Sequence, residues 1–331
     1  MQTQEKQKTN ITEDEAALYD RQIRLWGVDA QTRLRNARVL VIGSGALANE
    51  TCKNLVLAGV GSLTIWDKAV VQPQDLGAHF YLREADIGKE RGASMLPALQ
   101  QLNSRVHLSF KAIDLAEEAD ANLLEFELIL LIDASFPQMI RLDRLCRQHS
   151  IHLLMSSAPG LYGFIFVDLG KYSYFIERTI QDGSGEKVKE SLTTEYASLE
   201  DSLSRSWSGL SLRELRKKIS PLWSSYLVIW RFQEQHGSLP STEDLPALRQ
   251  IRRDISKDLS IPEAFMAEQV LQDLVWGLGT EYTPTCAIVG GILAQESIKV
   301  ITHKELPVDN FFLYNARDGS GLVHRIEPRS A

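Results

Sequence analysis

The sequence predicts an α/β fold with a doubly wound, mostly parallel sheet, and three observations support this prediction. Short apolar runs alternate with helical patterns from residue 38 to about residue 155. The runs are apolar along their whole length, as expected for strands that helices cover on both faces. Gly43-Ser44-Gly45, hereafter the glycine turn, joins the first run to the first helical pattern. A turn of this kind connects strand to helix in Rossmann-like folds.

Each element has its own local signal. Thr12 and Glu15 form a capping-box pair, so a helix is predicted to begin there and to end at about Trp26, with Gly27 as its left-handed stop. Strands are predicted at residues 38–42, 62–66, 106–110, 127–132 and 151–155, and helices at residues 46–58, 89–102 and 137–149.

Beyond residue 155 the pattern changes. Residues 162–168 and 172–177 are predicted to form an antiparallel pair joined across Gly170-Lys171. Residues 284–302 form an apolar helical pattern, followed by short strands at 310–315 and 322–326. The expected organisation begins with a disordered tail at 1–11 and the first part of the α/β domain at 12–180. A polar, mostly helical insertion follows at 181–262 and begins with a flexible Gly183-Ser184-Gly185. The C-terminal part of the domain is expected at 263–331.

Composition narrows the classes of function. The 331 residues carry a net charge of −7, which argues against a nucleic-acid or membrane-surface partner. No apolar run approaches the roughly 18 residues that span a membrane, and the N-terminus lacks the apolar stretch of a secretory signal. Three scattered cysteines form neither a disulfide framework nor a zinc site, so no metal ligand set is predicted. We therefore expect a soluble intracellular protein.

The glycine turn makes residues near it candidates for a nucleotide pocket. Gly43 and Gly45 allow a tight turn and close approach of the backbone to a phosphate. Asp67 ends the next strand, roughly 20 residues further on, where a ribose-binding carboxylate belongs. Asp133 follows a later strand in the same way. The alternative is that both carboxylates merely cap helices at strand ends.

Four segments resemble the family of ubiquitin-activating enzymes and their relatives. They are YDRQIRLWG at residues 19–27, KNLVLAGVG at 53–61, DIG at 86–88 and CAIVGGILAQE at 286–296. The resemblance covers about residues 12–170 and 262–326 and is strongest to the smaller subunits of the heterodimeric enzymes that activate SUMO. It implies a Rossmann-like adenylation domain of the ThiF/MoeB type that pairs with a second copy of the same fold.

The resemblance also implies that the chain's own nucleotide pocket is a relic. In a competent copy, an Asn and an Arg about ten residues after the ribose-binding Asp surround the phosphates, followed by a Lys, and a later Asp binds magnesium. This chain keeps Asp67 and has Asp133 at the magnesium position, but Asp75 and Ala78 stand where the Asn and Arg would be. Arg91 is at about the place of the Lys. ATP and Mg²⁺ are therefore expected mainly in the partner subunit.

Arg21 is the candidate functional residue of the first helix. On helical geometry it points away from Tyr19, Ile23 and Trp26, so by itself it is a solvated arginine on a polar face. The resemblance implies more: the Arg of the Tyr-Asp-Arg-Gln segment reaches across the subunit interface to the ATP phosphates in the partner's site. Arg24 is a second candidate.

The function implied is that of a regulatory subunit. Its larger partner would adenylate the C-terminus of SUMO with ATP and carry the modifier on a cysteine, while this chain carries no thioester. The family also implies a location in the nucleus, with a share in the cytoplasm. Three alternatives remain open: a homodimeric adenylating enzyme for a sulfur-carrier protein, the regulatory subunit for the Nedd-type modifier, and a nicotinamide-dependent oxidoreductase.

Overall fold

The computed structural model describes residues 11–179 and 187–328. The chain begins with helices α1 (Glu13–Leu18), α2 (Asp20–Trp26) and α3 (Val28–Asn36). The capping box of Thr12 and Glu15 is present, as predicted. The prediction of one continuous helix is wrong because the chain breaks at Tyr19, whose buried ring lies against Gly59 and whose hydroxyl accepts a hydrogen bond from Asn103 at 2.7 Å. Gly27 (φ 90°) ends α2, but α3 follows at once.

The alternating part contains every predicted strand and helix, with boundaries shifted by at most two residues. In chain order these are β1 (Arg38–Ile42), α4 (Ala46–Ala58), β2 (Ser62–Trp66), α5 (Arg91–Leu102), β3 (His107–Lys111), β4 (Leu128–Ile132), α6 (Phe136–His149) and β5 (His152–Ser157). The remaining elements are β6 (Tyr162–Asp168), β7 (Lys171–Thr179), β8 (Lys187–Glu195), α7 (Leu199–Leu203), α8 (Leu212–Lys218), α9 (Pro221–His236), α10 (Leu245–Asp258), α11 (Glu268–Gly277), α12 (Thr283–Thr302), β9 (Phe311–Asn315) and β10 (Ser320–His324).

The central sheet has the order β10-β9-β6-β5-β4-β1-β2-β3. The five strands β3, β2, β1, β4 and β5 are parallel, whereas β6, β9 and β10 continue the sheet in antiparallel pairing. This confirms the predicted doubly wound, mostly parallel fold. The carboxyl ends of the parallel strands meet at one edge, where ligands bind in open α/β sheets.

The predicted pairing of residues 162–168 with 172–177 is wrong. Strand β6 is buried along its whole length and lies between β5 and β9 in the central sheet. Strand β7 instead pairs with β8 in a separate two-stranded sheet. The two adjacent segments therefore belong to different sheets because only β6 has the uninterrupted apolar character that the core requires.

The region predicted as a helical insertion packs against one face of the sheet. It does contain helices α7 to α10, but β8 precedes them, so its first described part is a strand. Trp223 and Trp230 are buried, with ring centroids 6.4 Å from Phe311 and 5.3 Å from Phe164. The predicted flexible entry at 183–185 and the predicted tail, apart from its last residue, lie outside the described residues, and the predicted domain boundaries stay a prediction.

The other face of the sheet is covered by α3, α4, α5 and α12. Helix α12 crosses α4 closely at Gly290, where a Cβ would lie 2.8 Å from the Cβ of Glu50. Within the described residues, α12 is the one helix long and apolar enough to cross a membrane by length and composition. However, 61% of its most apolar stretch is buried inside the protein, as befits a core helix.

Candidate functional site

A cavity of about 950 Å³ lies at the carboxyl edge of the parallel strands. One side is polar and includes Asp75, Arg91, Asp133 and Glu281; the other side is largely apolar and is formed in part by residues of α9. We call this cavity the strand-edge pocket. Its position is that of a nucleotide site in this type of fold, so its chemistry decides whether nucleotide can bind.

The glycine turn is built as the sequence predicts. Gly43 has φ 104°, and a Cβ there would lie 2.8 Å from the carbonyl oxygen of Ile132. Gly45 precedes the first residue of α4, and a Cβ there would collide with the side chain of Glu281. Position 43 therefore requires glycine for its backbone angle and close approach, whereas a side chain at position 45 would require the flexible end of Glu281 to move.

Arg91 is already neutralised by neighbouring carboxylates. Its guanidinium donates to Asp67 at 3.1 Å and to Asp75 at 3.4 Å, and its Nε donates to the hydroxyl of Ser44 at 3.1 Å. The Ser44 hydroxyl in turn donates to Asp67. Arg91, the cation predicted from the sequence to lie in the pocket, is thus paired with two carboxylates. Asp67 is engaged in the same network.

Asp133 lies at the end of β4 with φ 53°, an uncommon backbone angle for a residue with a side chain. The hydroxyl of Ser157 donates to its carboxylate at 2.6 Å. Enclosure of the carboxyl by the pocket raises its pKa, and the hydrogen bond from Ser157 opposes that rise. Among residues 11–179 and 187–328, no group of three acidic, His or Cys side chains could hold a metal ion.

Glu281 is the site residue that the sequence did not predict. Its carboxylate accepts a hydrogen bond of 2.6 Å from the backbone N–H of Ala46, at the start of α4. Burial raises the pKa of this carboxyl, and the hydrogen bond from Ala46 partly offsets the effect. Glu281 is separated from Ala46 by 235 residues and belongs to no motif, so no sequence signal connects it to the glycine turn.

The charge of the pocket therefore opposes a triphosphate. Besides Asp67 and Asp133, whose counterparts the resemblance places in a competent pocket as well, Asp75 and Glu281 add negative charge, and Arg91 is the one Arg or Lys among the described lining residues. A polyanion entering here would meet like charges and would have to displace the carboxylate at the start of α4. These features match the relic pocket expected from the sequence, although the absence of nucleotide binding stays a prediction.

Arg21 lies far from this pocket. It is exposed on α2, and its guanidinium makes no ion pair with any described residue. The neighbouring Gln22 donates to the carbonyl of Leu57 at 3.4 Å, near the opposite end of α4 from the glycine turn. At about 1.5 Å per residue that separation is roughly 16 Å, more than an arginine side chain spans. Arg24, the second candidate, pairs with Asp20 at 3.0 Å.

Comparison with known proteins agrees with this architecture. The ThiF family pattern matches residues 19–331. The chain belongs to the ThiF family. It is 34% identical to SUMO-activating enzyme subunit 1 of Rattus norvegicus over 340 residues, covering 96% of each chain. Identity is 33% to the Homo sapiens protein of the same name (96% and 97% covered) and 32% to that of Dictyostelium discoideum (95% and 94%). The family resemblance seen in the sequence is confirmed.

None of the cysteines of this ThiF protein is placed to form a thioester. Cys52, Cys146 and Cys286 are all buried. Burial raises the pKa of Cys52 and of Cys286 to about 12, and it raises the pKa of Cys146 as well. Because the thiolate is the nucleophile, a thiol with such a pKa is unreactive near neutral pH.

Proposed function

We propose that this chain is the regulatory subunit of a heterodimeric SUMO-activating enzyme. The complex adenylates the C-terminus of SUMO with ATP and transfers the modifier to a cysteine of the larger subunit. The observation that carries the proposal is identity above 30% to SUMO-activating enzyme subunit 1 proteins over nearly the whole chain. The buried cysteines support a division of labour in which the partner carries the thioester.

The strand-edge pocket argues against self-sufficient catalysis. In a competent pocket, donors and cations meet the phosphates, and each charge-assisted hydrogen bond contributes about 1.5–3 kcal/mol. Here Arg91 is paired with Asp67 and Asp75, and Glu281 occupies the start of α4. The homodimeric sulfur-carrier alternative needs a working pocket in this chain, so it is disfavoured. ATP and Mg²⁺ belong to the partner's site in this proposal.

Arg21 is the contribution of this chain to that site. Its distance from the strand-edge pocket leaves it free to act on another chain, where its guanidinium would stabilise charge that builds on the ATP phosphates. Large apolar side chains around it are exposed, which is typical of an interaction surface. They are Leu18 (59% exposed), Leu25 (71%), Val28 (56%) and Leu57 (46%).

The other sequence-based alternatives have no support from the structure or the relatives. The relatives at 30–34% identity carry the name SUMO-activating enzyme subunit 1, not that of a Nedd-type subunit. An oxidoreductase would leave the exposed Arg21 helix without a role. We also propose a nuclear location with a cytoplasmic share, which a fluorescent fusion in cells would test.

The decisive experiment is reconstitution. The chain is co-expressed with the larger SUMO-activating subunit, and SUMO-dependent ATP–pyrophosphate exchange is measured for the pair and for each chain alone. We expect exchange from the pair and none from this chain alone. Exchange by this chain alone would support the homodimeric alternative. Exchange only with a Nedd-type large subunit and its modifier would assign the chain to that pathway instead.

A further inference from the structure

Helix α4 lacks a cap of its own. Its N-cap residue is Gly45, which has no side chain to accept from the first backbone N–H groups, and its first turn contains no acidic residue. Some other helices of the chain are capped locally, for example α6 and α8, where Ser135 and Ser211 form capping boxes. The first turn of α4 therefore needs an acceptor from elsewhere, and in nucleotide-binding members of such folds a phosphate fills that place.

Glu281 fills that place here. Its carboxylate accepts from the N–H of Ala46 at 2.6 Å and packs closely on Gly45, where a Cβ would displace it. The backbone around Glu281 is tied to the neighbouring loop, because Gly160 donates to the carbonyl of Thr280 at 2.9 Å and Pro159 forms a β-bridge with Glu281. These contacts fix the backbone of Glu281 beside the glycine turn, within reach of Ala46.

The surroundings of Glu281 show that this placement has a cost. Burial and the nearby carboxyls of Asp133 and Asp75 raise its pKa, whereas the amide of Ala46 and the charge of Arg91 lower it. A carboxylate among other carboxylates is unfavourable unless a specific contact compensates. The positive end of α4 supplies part of that compensation, and the pKa of Glu281 stays raised on balance.

We propose that Glu281 is a built-in replacement for a nucleotide phosphate: its carboxylate occupies the anion site at the start of α4 without any ligand. A nucleotide phosphate is then excluded in two ways: Glu281 occupies its place, and the Asn and Arg that would bind it are absent. This inference concerns the chain's own pocket and does not depend on the role of Arg21 in a partner.

The test is chemical rescue of the full chain, measured as the thermal midpoint of unfolding. Glu281→Ala leaves the start of α4 open and without an anion. Inorganic phosphate should then raise the midpoint of this variant in a saturable way, by about 2–4 °C, whereas sodium chloride at equal ionic strength should not. Because phosphate stabilises many proteins weakly, the rise in the wild type is subtracted.

Glu281→Gln is the matched control, since the amide still fills the space but carries no charge. It should gain no specific stabilisation from phosphate. The proposal is overturned if Glu281→Ala responds to phosphate no more than the wild type, or if Glu281→Gln is rescued equally. Should Glu281→Ala fail to fold, Glu281→Ser opens the same space and is held to the same two criteria.

Discussion

The close crossing of α12 and α4 can be tested by substitution at Gly290 and Gly291. This crossing positions α4, the helix that follows the glycine turn. At Gly290 a Cβ would lie 2.8 Å from the Cβ of Glu50 and 3.0 Å from the backbone oxygen of Leu47. The second neighbour is main chain, so α4 itself must shift. At Gly291, the next residue of the same helix, a Cβ would meet nothing within 4 Å. Alanine should therefore act oppositely at the two positions.

The expected magnitudes follow from these distances. Gly290→Ala gains about 1 kcal/mol of helix propensity but forces two helices apart, and overpacking of this kind costs about 1–3 kcal/mol. Gly291→Ala gains the same propensity without the cost, so it should be stabilising by about 0.5–1 kcal/mol. The difference between the two variants cancels propensity and isolates the overpacking, about 1–3 kcal/mol.

Urea unfolding of the isolated chain, followed by tryptophan fluorescence and by circular dichroism, measures this difference directly. If the free energy of unfolding falls with urea concentration at the same slope in both variants, their midpoints can be compared directly as stabilities. If Gly290→Ala is as stable as Gly291→Ala, the close crossing of α12 and α4 is wrong, and with it the packing that brings Glu281 to the turn.

Two further predictions concern buried charge. Burial and the neighbouring Asp168 raise the pKa of Asp143, so the folded protein favours the protonated carboxyl. The contribution of this carboxyl to the free energy of unfolding is therefore fully present below about pH 4 and is lost as the pH rises through the raised pKa. Asp143→Asn removes the charge but can still accept from the N–H of Leu199. At pH 9 this variant should be more stable than the wild type, on the order of 1–2 kcal/mol. Equal dependence on pH for the two proteins in urea unfolding would contradict this. In the reconstituted complex, Asp67→Ala should leave SUMO-dependent pyrophosphate exchange within about twofold of the wild type, since Asp67 is engaged with Arg91 and Ser44 and the proposed function needs no catalysis in this pocket. A larger loss would show that this pocket takes part.

Local patterns predicted most of the fold. Strands β1 and β2 and helix α4 begin and end at the predicted residues because uniformly apolar runs and glycine-bounded helices are local signals. The two residues Gly43 and Gly45 were likewise placed from the sequence, since their neighbours in the chain define the turn.

The sequence-based predictions were wrong or incomplete where contacts between residues far apart in the chain determine the structure. Helix α3 was missed because Gly27 is a strong stop signal, yet the chain resumes a helix whose buried Gln31 donates to the carbonyl of Ala58 at 3.0 Å. Strand β8 was missed because its residues are mostly polar, and its pairing with β7 is a long-range choice. Glu281 was missed for the same reason: nothing near it in the sequence indicates the amide that it meets.

The central claim is that Arg21 acts in the partner's site, and pyrophosphate exchange by the Arg21→Ala heterodimer tests it most directly. Loss of a cation that stabilises the reacting phosphates should slow SUMO-dependent exchange by about 100-fold or more. Size-exclusion chromatography should show an intact heterodimer. Arg24→Ala removes the second candidate, which is paired with Asp20 on the surface, and it should stay within about twofold of the wild type if Arg21 is the residue that acts. An Arg21→Ala complex that exchanges at the rate of the wild type would contradict the claim.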